Sequence, residues 1–228
     1  MDFSDWLTLS SICLLGAMSP GPSLAVMLSC TLSQSSENPT GDGYAAALSH
    51  GLGAGLYGLL TVVGLATVIT KTPALYTAIQ VAGALYLLYL GAKSLRSSVS
   101  LASDSTGSED VNVELLANES TAQATANSGM KSAAIQGFLV AALNPKLCVF
   151  MLALFSQFLQ PGYGAMEKGV MVATVGIIDA TWYCAVVTLV SRPGFRRWFQ
   201  NGSVIIDRIF GVIIIALALS VLYAALIL

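Results

Sequence analysis

Six stretches of about 20 apolar residues recur along the chain, and they limit what it can become. A helix needs about 20 such residues to cross the ~30 Å hydrocarbon layer of a bilayer. Residues 6–28, 73–92 and 209–228 carry no charged side chain. Residues 44–70 carry only His50, 132–159 only Lys146, and 169–191 only Asp179. A membrane β-barrel would instead show ~10-residue alternating segments, and runs such as 212–228 do not alternate. Charged residues make up 10% of the chain, too few to cover a water-soluble globule. The expected fold is an all-α integral membrane protein with six transmembrane helices, forming one transmembrane domain over 1–228 in contact with the lipid bilayer.

Basic residues set the orientation of such a chain. The segments after the third and fifth runs hold Lys93, Arg96, Lys131, Arg192, Arg196, Arg197 and Arg208, while the opposite face holds only Lys71 and Lys168. The basic face is expected in the cytoplasm, with both termini outside it. Residues 97–129 are rich in Ser, Thr, Ala and Asn, with five acidic side chains between Asp104 and Glu119. This composition cannot bury a core and reads as a flexible acidic cytoplasmic loop. Ten basic against twelve acidic residues offer no surface for nucleic acid. Cys13, Cys30, Cys148 and Cys184 form no CxxC pair, so neither a disulfide framework nor a metal site is expected. No nucleotide-binding GxxxxGK[ST], HExxH or GxSxG is present, and the chain reads as a cofactor-free non-enzyme.

Six spans divide into three plus three, and an odd number of crossings inverts the second half relative to the first. Transporters built this way place their site near the midplane, where helices are broken by Gly or Pro. The first run contains Ser19-Pro20-Gly21-Pro22-Ser23 and the fourth Leu143-Asn144-Pro145-Lys146, both near the middle. Setting Pro22 on Pro145 aligns GPSLAVMLSCTLSQ with NPKLCVFMLALFSQ, both closing on Ser-Gln. The expectation is a 3+3 inverted repeat with the first and fourth helices broken. Proline removes a backbone donor, and in hydrocarbon each orphaned group costs several kcal/mol, so such breaks must face protein or a wet cavity.

These motifs resemble the lysine exporter (LysE/RhtB) family of bacterial amino-acid exporters. The likeness lies in SPGP at Ser19 to Pro22, the glycines Gly51, Gly53, Gly55 and Gly58, and GALYLLYLGAKSLR from Gly83 to Arg96. It continues in NPKLCVFMLALFSQF from Asn144 to Phe158, in Asp179 and in DRIFGVIII from Asp207 to Ile215. The chain departs from that pattern in lacking basic residues in the first loop and in Ser156, where the family has proline. The resemblance implies a secondary exporter of amino acids or related small zwitterions in the bacterial cytoplasmic membrane.

A charge at the bilayer centre costs about 2.5–3.5 kcal/mol, so Lys146 and Asp179 call for a purpose. They are expected to pair and to line the pathway with Pro20, Gly21, Pro22, Asn144 and Pro145, Lys146 meeting a carboxylate and Asp179 an ammonium or a proton. His50 reads as an interfacial side chain near the start of the second span, with proton handling, shared with Asp179, as its other reading. Tyr86, Tyr89, Trp182 and Tyr183 are candidates for a pocket wall. A membrane thiol carrier, with Cys13 and Cys148 as its nearest pair, and a metal-ion exporter remain as alternatives. Protons are the expected coupling partner, while the sequence leaves the solute, the coupling stoichiometry and self-association open.

Overall fold

The computed structural model describes residues 1–19, 21–33, 36–97, 129–192, 211–219 and 222–223. The described residues form helices and connecting turns, with no strand among them. In chain order the helices are α1 (Phe3–Met18), α2 (Pro22–Thr31), α3 (Pro39–Lys71), α4 (Pro73–Ser97), α5 (Met130–Ala142), α6 (Pro145–Phe158) and α7 (Ala165–Val190). Residues 211–219 are also helical. Of the expected loop at 97–129, residues 98–128 lie outside the described residues, as do 209, 210, 220, 221 and 224–228 of the expected sixth span.

Proline opens four of these helices: Pro22, Pro39, Pro73 and Pro145. At the first helical position its missing N–H would have no partner in any case, and its fixed φ already suits the helix. Among the described residues three helices are long and apolar enough to cross a membrane unbroken, within Pro39–Val68, Ala74–Lys93 and Ala165–Val190. Two more candidates are bent pairs: α1 with α2 at 63°, and α5 with α6 at 55°. The bends fall at the two proline motifs.

α3 is the central helix, packed against α7 on one side and α5 on another. Small residues set how closely it approaches them. A Cβ built on Gly51 would lie 2.8 Å from the Gly176 carbonyl oxygen and 2.6 Å from Ala180 Cβ; one on Gly53 would lie 2.7 Å from Ala141 Cβ. Without Cβ atoms at these positions the backbones approach as closely as they do in membrane helix pairs. The opposite face of α3 carries Leu48, Leu52, Leu59, Leu60 and Val63, all exposed. A continuous apolar face of this kind suits contact with lipid.

The buried apolar side chains fall into two clusters. One joins Leu9, Ile12 and Cys13 of α1 to Ala54, Val62 and Leu65 of α3, Phe150, Met151, Leu154 and Phe155 of α6, and Met171 and Val175 of α7. The other joins Leu24 to Cys30 of α2, Ala46 and Ala47 of α3, Ala133 of α5, and Tyr183 to Val190 of α7. Each broken span therefore contributes one helix to each cluster. Along α3, His50 falls between the two clusters, as Asp179 does along α7.

Candidate functional site

A polar layer separates the two apolar clusters, and both proline breaks lie in it. In an unbroken helix Ala142 O would accept from the N–H of Lys146 and Ala141 O from that of residue 145, which as proline has none. Ala141 O instead takes the Asn144 N–H at 3.2 Å. Ala142 O is met from α3 by the Tyr57 hydroxyl at 2.6 Å. At the first break Gly16 O, which would have faced the absent N–H of residue 20, takes the Ser19 N–H at 3.3 Å.

Asn144 caps α6, its Oδ1 accepting from Leu147 N–H at 3.2 Å. That fixes the orientation of the amide, so Nδ2 is the atom that donates to Ser23 Oγ at 3.3 Å. Ser23, the second residue of α2, also lies 2.8 Å from His50 Nε2. The other ring nitrogen, Nδ1, is 2.6 Å from Asp179 Oδ2. With the Asp179 carboxylate ionised and the ring neutral, Nδ1 carries the proton and the Ser23 hydroxyl donates to Nε2. A one-way donor chain results, from Asn144 through Ser23 and His50 to Asp179, linking α6, α2, α3 and α7. All four side chains are buried. The ring of Tyr183 meets the His50 ring edge-on at 4.7 Å between centroids.

Beside this chain lies a cavity of about 50 Å³, lined by residues of both breaks and by Cys13, His50, Phe150, Asp179 and Tyr183 among others. A site of this size holds a few waters or the head of a small polar solute. Lys146 reaches its wall from the second helical position of α6, its Nζ donating to Ser19 Oγ at 3.1 Å. The cavity thus has a cation on α6 and an anion on α7, with the N-terminus of α2 between the breaks.

Lys146 and Asp179, expected to pair, both line the cavity, each with a short partner of its own. The short contact to Asp179 comes from His50, and Lys146 bonds across to the end of α1. The close α3–α7 crossing at Gly51 and Gly176 brings the histidine in first. His50 is also no interfacial residue: it is 2% exposed and sits in the polar layer. Gly21, Pro22, Asn144 and Lys146 line the cavity, whereas Pro145 is exposed and acts through its missing N–H. Pro20 lies outside the described residues. Of the four aromatics considered, Tyr183 lines the cavity; Tyr89 is exposed and Trp182 packs against the second cluster. Cys13 is buried in the wall and Cys148 is exposed, so this nearest pair for a thiol relay is divided between inside and outside. Among the described residues no three of His, Cys, Asp and Glu gather as a metal site would need. Sequence reasoning assigned no role to Ser19 or Ser23, although a hydroxyl next to a helix break is a ready partner for whatever the break exposes.

Comparison with known proteins finds relatives along nearly the whole chain. The chain is 26% identical over 206 residues to a threonine efflux protein of Escherichia coli (strain K12), covering 90% of this chain and 91% of that one. It is 25% identical to the threonine efflux protein of Salmonella typhi over the same shares. An uncharacterized membrane protein of Haemophilus influenzae is 26% identical, covering 91% of this chain and 90% of its own. No solved structure matches. The model of the LysE type translocators matches residues 14–225, and the chain belongs to that family.

Proposed function

We propose that the protein exports a small zwitterionic amino acid from the cytoplasm in exchange for protons, binding it in the cavity between the two breaks. The observation that carries this reading is the arrangement of charge around that cavity. Lys146 and the α2 N-terminus suit a carboxylate, and Asp179 suits an ammonium. Threonine is the first solute to test, since two of the relatives are named for its efflux. The His50–Asp179 pair supplies the coupling. With the ring neutral, Asp179 keeps a full negative charge for an ammonium; with the ring protonated, that charge is matched within the pair. Proton and solute then compete for one carboxylate, as exchange requires.

The sixth span, at 209–228, completes a six-span domain in this reading, with both termini outside the cytoplasm and the acidic 97–129 loop within it. The inverted repeat draws support from the two clusters. α1 lies in the first and α2 in the second, whereas α5 begins in the second and α6 ends in the first, so the broken spans run oppositely. Pro22 and Pro145 open the second helix of each.

The test is an accumulation assay in cells that overproduce the protein, challenged with threonine, other amino acids and toxic analogues. Resistance with a several-fold rise in extracellular solute is expected for at least one neutral amino acid. Unchanged resistance and unchanged external solute across the panel would overturn the reading.

A further inference from the structure

Ser23 belongs to none of the charged or proline positions that define the site, yet it touches both sides of it. Its Oγ accepts from Asn144 of the second broken span and faces His50 Nε2, and its backbone belongs to the first turn after the first break. A hydroxyl has one proton to give and two lone pairs to accept with. While the His50 ring is neutral, that proton is used on Nε2. When the ring gains a proton at Nε2, the nitrogen becomes a donor and the same bond must reverse. Ser23 Oγ then accepts from both Nε2–H and the Asn144 amide, and its own proton must turn elsewhere. The cavity and the Tyr183 side chain are what lie beside it.

Taking proton-coupled export as proposed above, we infer that Ser23 is the positioning residue that carries the protonation state of His50 to the two broken spans. Reversal of a single hydrogen bond is the whole of the signal, and it needs no movement of the ring. The titratable and charged groups around His50 are consistent with this role. α7 presents Asp179 and Tyr183, α1 presents Cys13, and α6 presents Lys146; α2 contributes Ser23 and α4 the apolar Leu90. Asp179 already holds Nδ1, so a proton taken up by the ring must appear at the nitrogen that faces Ser23. Ser23 is therefore the first neighbour to register it.

The test separates exchange from coupling. Purified protein in vesicles carries out threonine-for-threonine exchange at equal pH on both sides, which requires binding and the conformational cycle but no net proton movement. Accumulation driven by a proton gradient requires coupling as well. Ser23→Ala should keep exchange within about threefold of the unsubstituted protein while gradient-driven accumulation falls by about tenfold or more. Ser23→Thr, which keeps the hydroxyl, should retain both. A parallel fall of exchange and accumulation in Ser23→Ala would assign Ser23 a merely structural role and overturn the inference, as would full accumulation.

A second measurement needs no variant. His50 is the only histidine, so 15N-histidine labelling reports one ring. At high pH the spectrum should show a protonated Nδ1 and an accepting Nε2, and at low pH both nitrogens protonated. The opposite tautomer at high pH would mean that Ser23 never donates to the ring, and would overturn the inference even where Ser23→Ala fails to fold. Unsubstituted protein that exchanges no amino acid from a neutral panel would sink the export reading. Exchange that ignores the proton gradient would sink the coupling reading. Either would remove the role of Ser23 with it.

Discussion

At the first break the chain passes through Ser19-Pro20-Gly21-Pro22, and no side chain caps the helix that follows. At the second it passes through Leu143-Asn144-Pro145, and the Asn144 side chain caps α6 while Tyr57 occupies the Ala142 carbonyl. The bends are similar, 63° and 55°, but the backbone groups they expose are treated differently. Every partner at the second break is supplied by the protein, which makes it a fixed frame. The first break offers the N–H groups of α2 to the cavity without a competing side-chain cap, and among its side-chain ties are Ser19 to Lys146 and Ser23 to Asn144 and His50. A site that must bind and release solute needs one wall that yields and one that does not. The first break is the wall that can yield.

The largest effect should come from removing that wall. Replacing Pro20, Gly21 and Pro22 together with alanine lets α1 and α2 join as one helix, since alanine is the most favourable helical residue. Membrane insertion should be normal and export should fall by about a hundredfold or more, a loss of about 2.7 kcal/mol or more in the transport step. Export at the unsubstituted level in this variant would show that the break has no part in binding.

The next effect separates charge from hydrogen bonding at Asp179. Asp179→Asn keeps an acceptor for His50 Nδ1–H and removes the charge, so thermal stability should change little while export falls about tenfold or more. Asp179→Leu also strands a buried N–H, which costs about 1–3 kcal/mol, and should lower the melting temperature as well. Equal melting temperatures for the two variants would mean that the 2.6 Å contact contributes nothing to the fold.

This pair also marks where the sequence stops being informative. The apolar runs and the two proline motifs were legible because bilayer thickness and the missing proline N–H act locally along the chain. The pairing of His50 with Asp179 was not, because it joins residues 129 apart in sequence and depends on a helix crossing at Gly51 and Gly176. His50 was misplaced for a related reason. The apolar run begins at Tyr44, but Asn38 caps the helix and Pro39 opens it, so polar residues 39–43 are already helical. That puts His50 eleven residues, or about 16 Å, into α3 rather than at its edge. Ser23 was invisible because a serine beside prolines is ordinary in a helix start, and only its two partners from other helices give it a role.

A smaller effect tests whether the second break is as fixed as its contacts suggest. Tyr57→Phe removes the hydroxyl that meets Ala142 O and leaves a carbonyl beside the break without its donor. Loss of a half-buried hydrogen bond of this kind costs about 0.5–1.5 kcal/mol. Thermal unfolding in detergent should move down by several degrees, with export per folded molecule reduced about twofold or less. A loss of export without loss of stability would mean that the second break moves during transport, and would reverse the assignment of frame and yielding wall.

The smallest effect belongs to Gly21, and it decides which part of Pro20-Gly21-Pro22 matters. Its φ of −171° is extended backbone, open to any residue, and a Cβ placed there meets nothing within 4 Å. Alanine restricts the unfolded chain more than glycine does, worth about 0.4–1 kcal/mol in favour of the fold. As a helix cap alanine is worse than glycine, which works against that gain by a comparable amount. The two terms nearly cancel, so Gly21→Ala should leave stability within about 0.5 kcal/mol and export near normal, while the prolines on either side keep the break open. Gly16→Ala is the matched control, because its Cβ would lie 2.9 Å from the Phe150 ring at the cavity wall and should lower export measurably. If Gly21→Ala instead abolishes export with the protein fully folded, the added methyl group must occupy space that the solute uses. The carboxylate of that solute would then sit against Gly21 itself, at the N-terminus of α2.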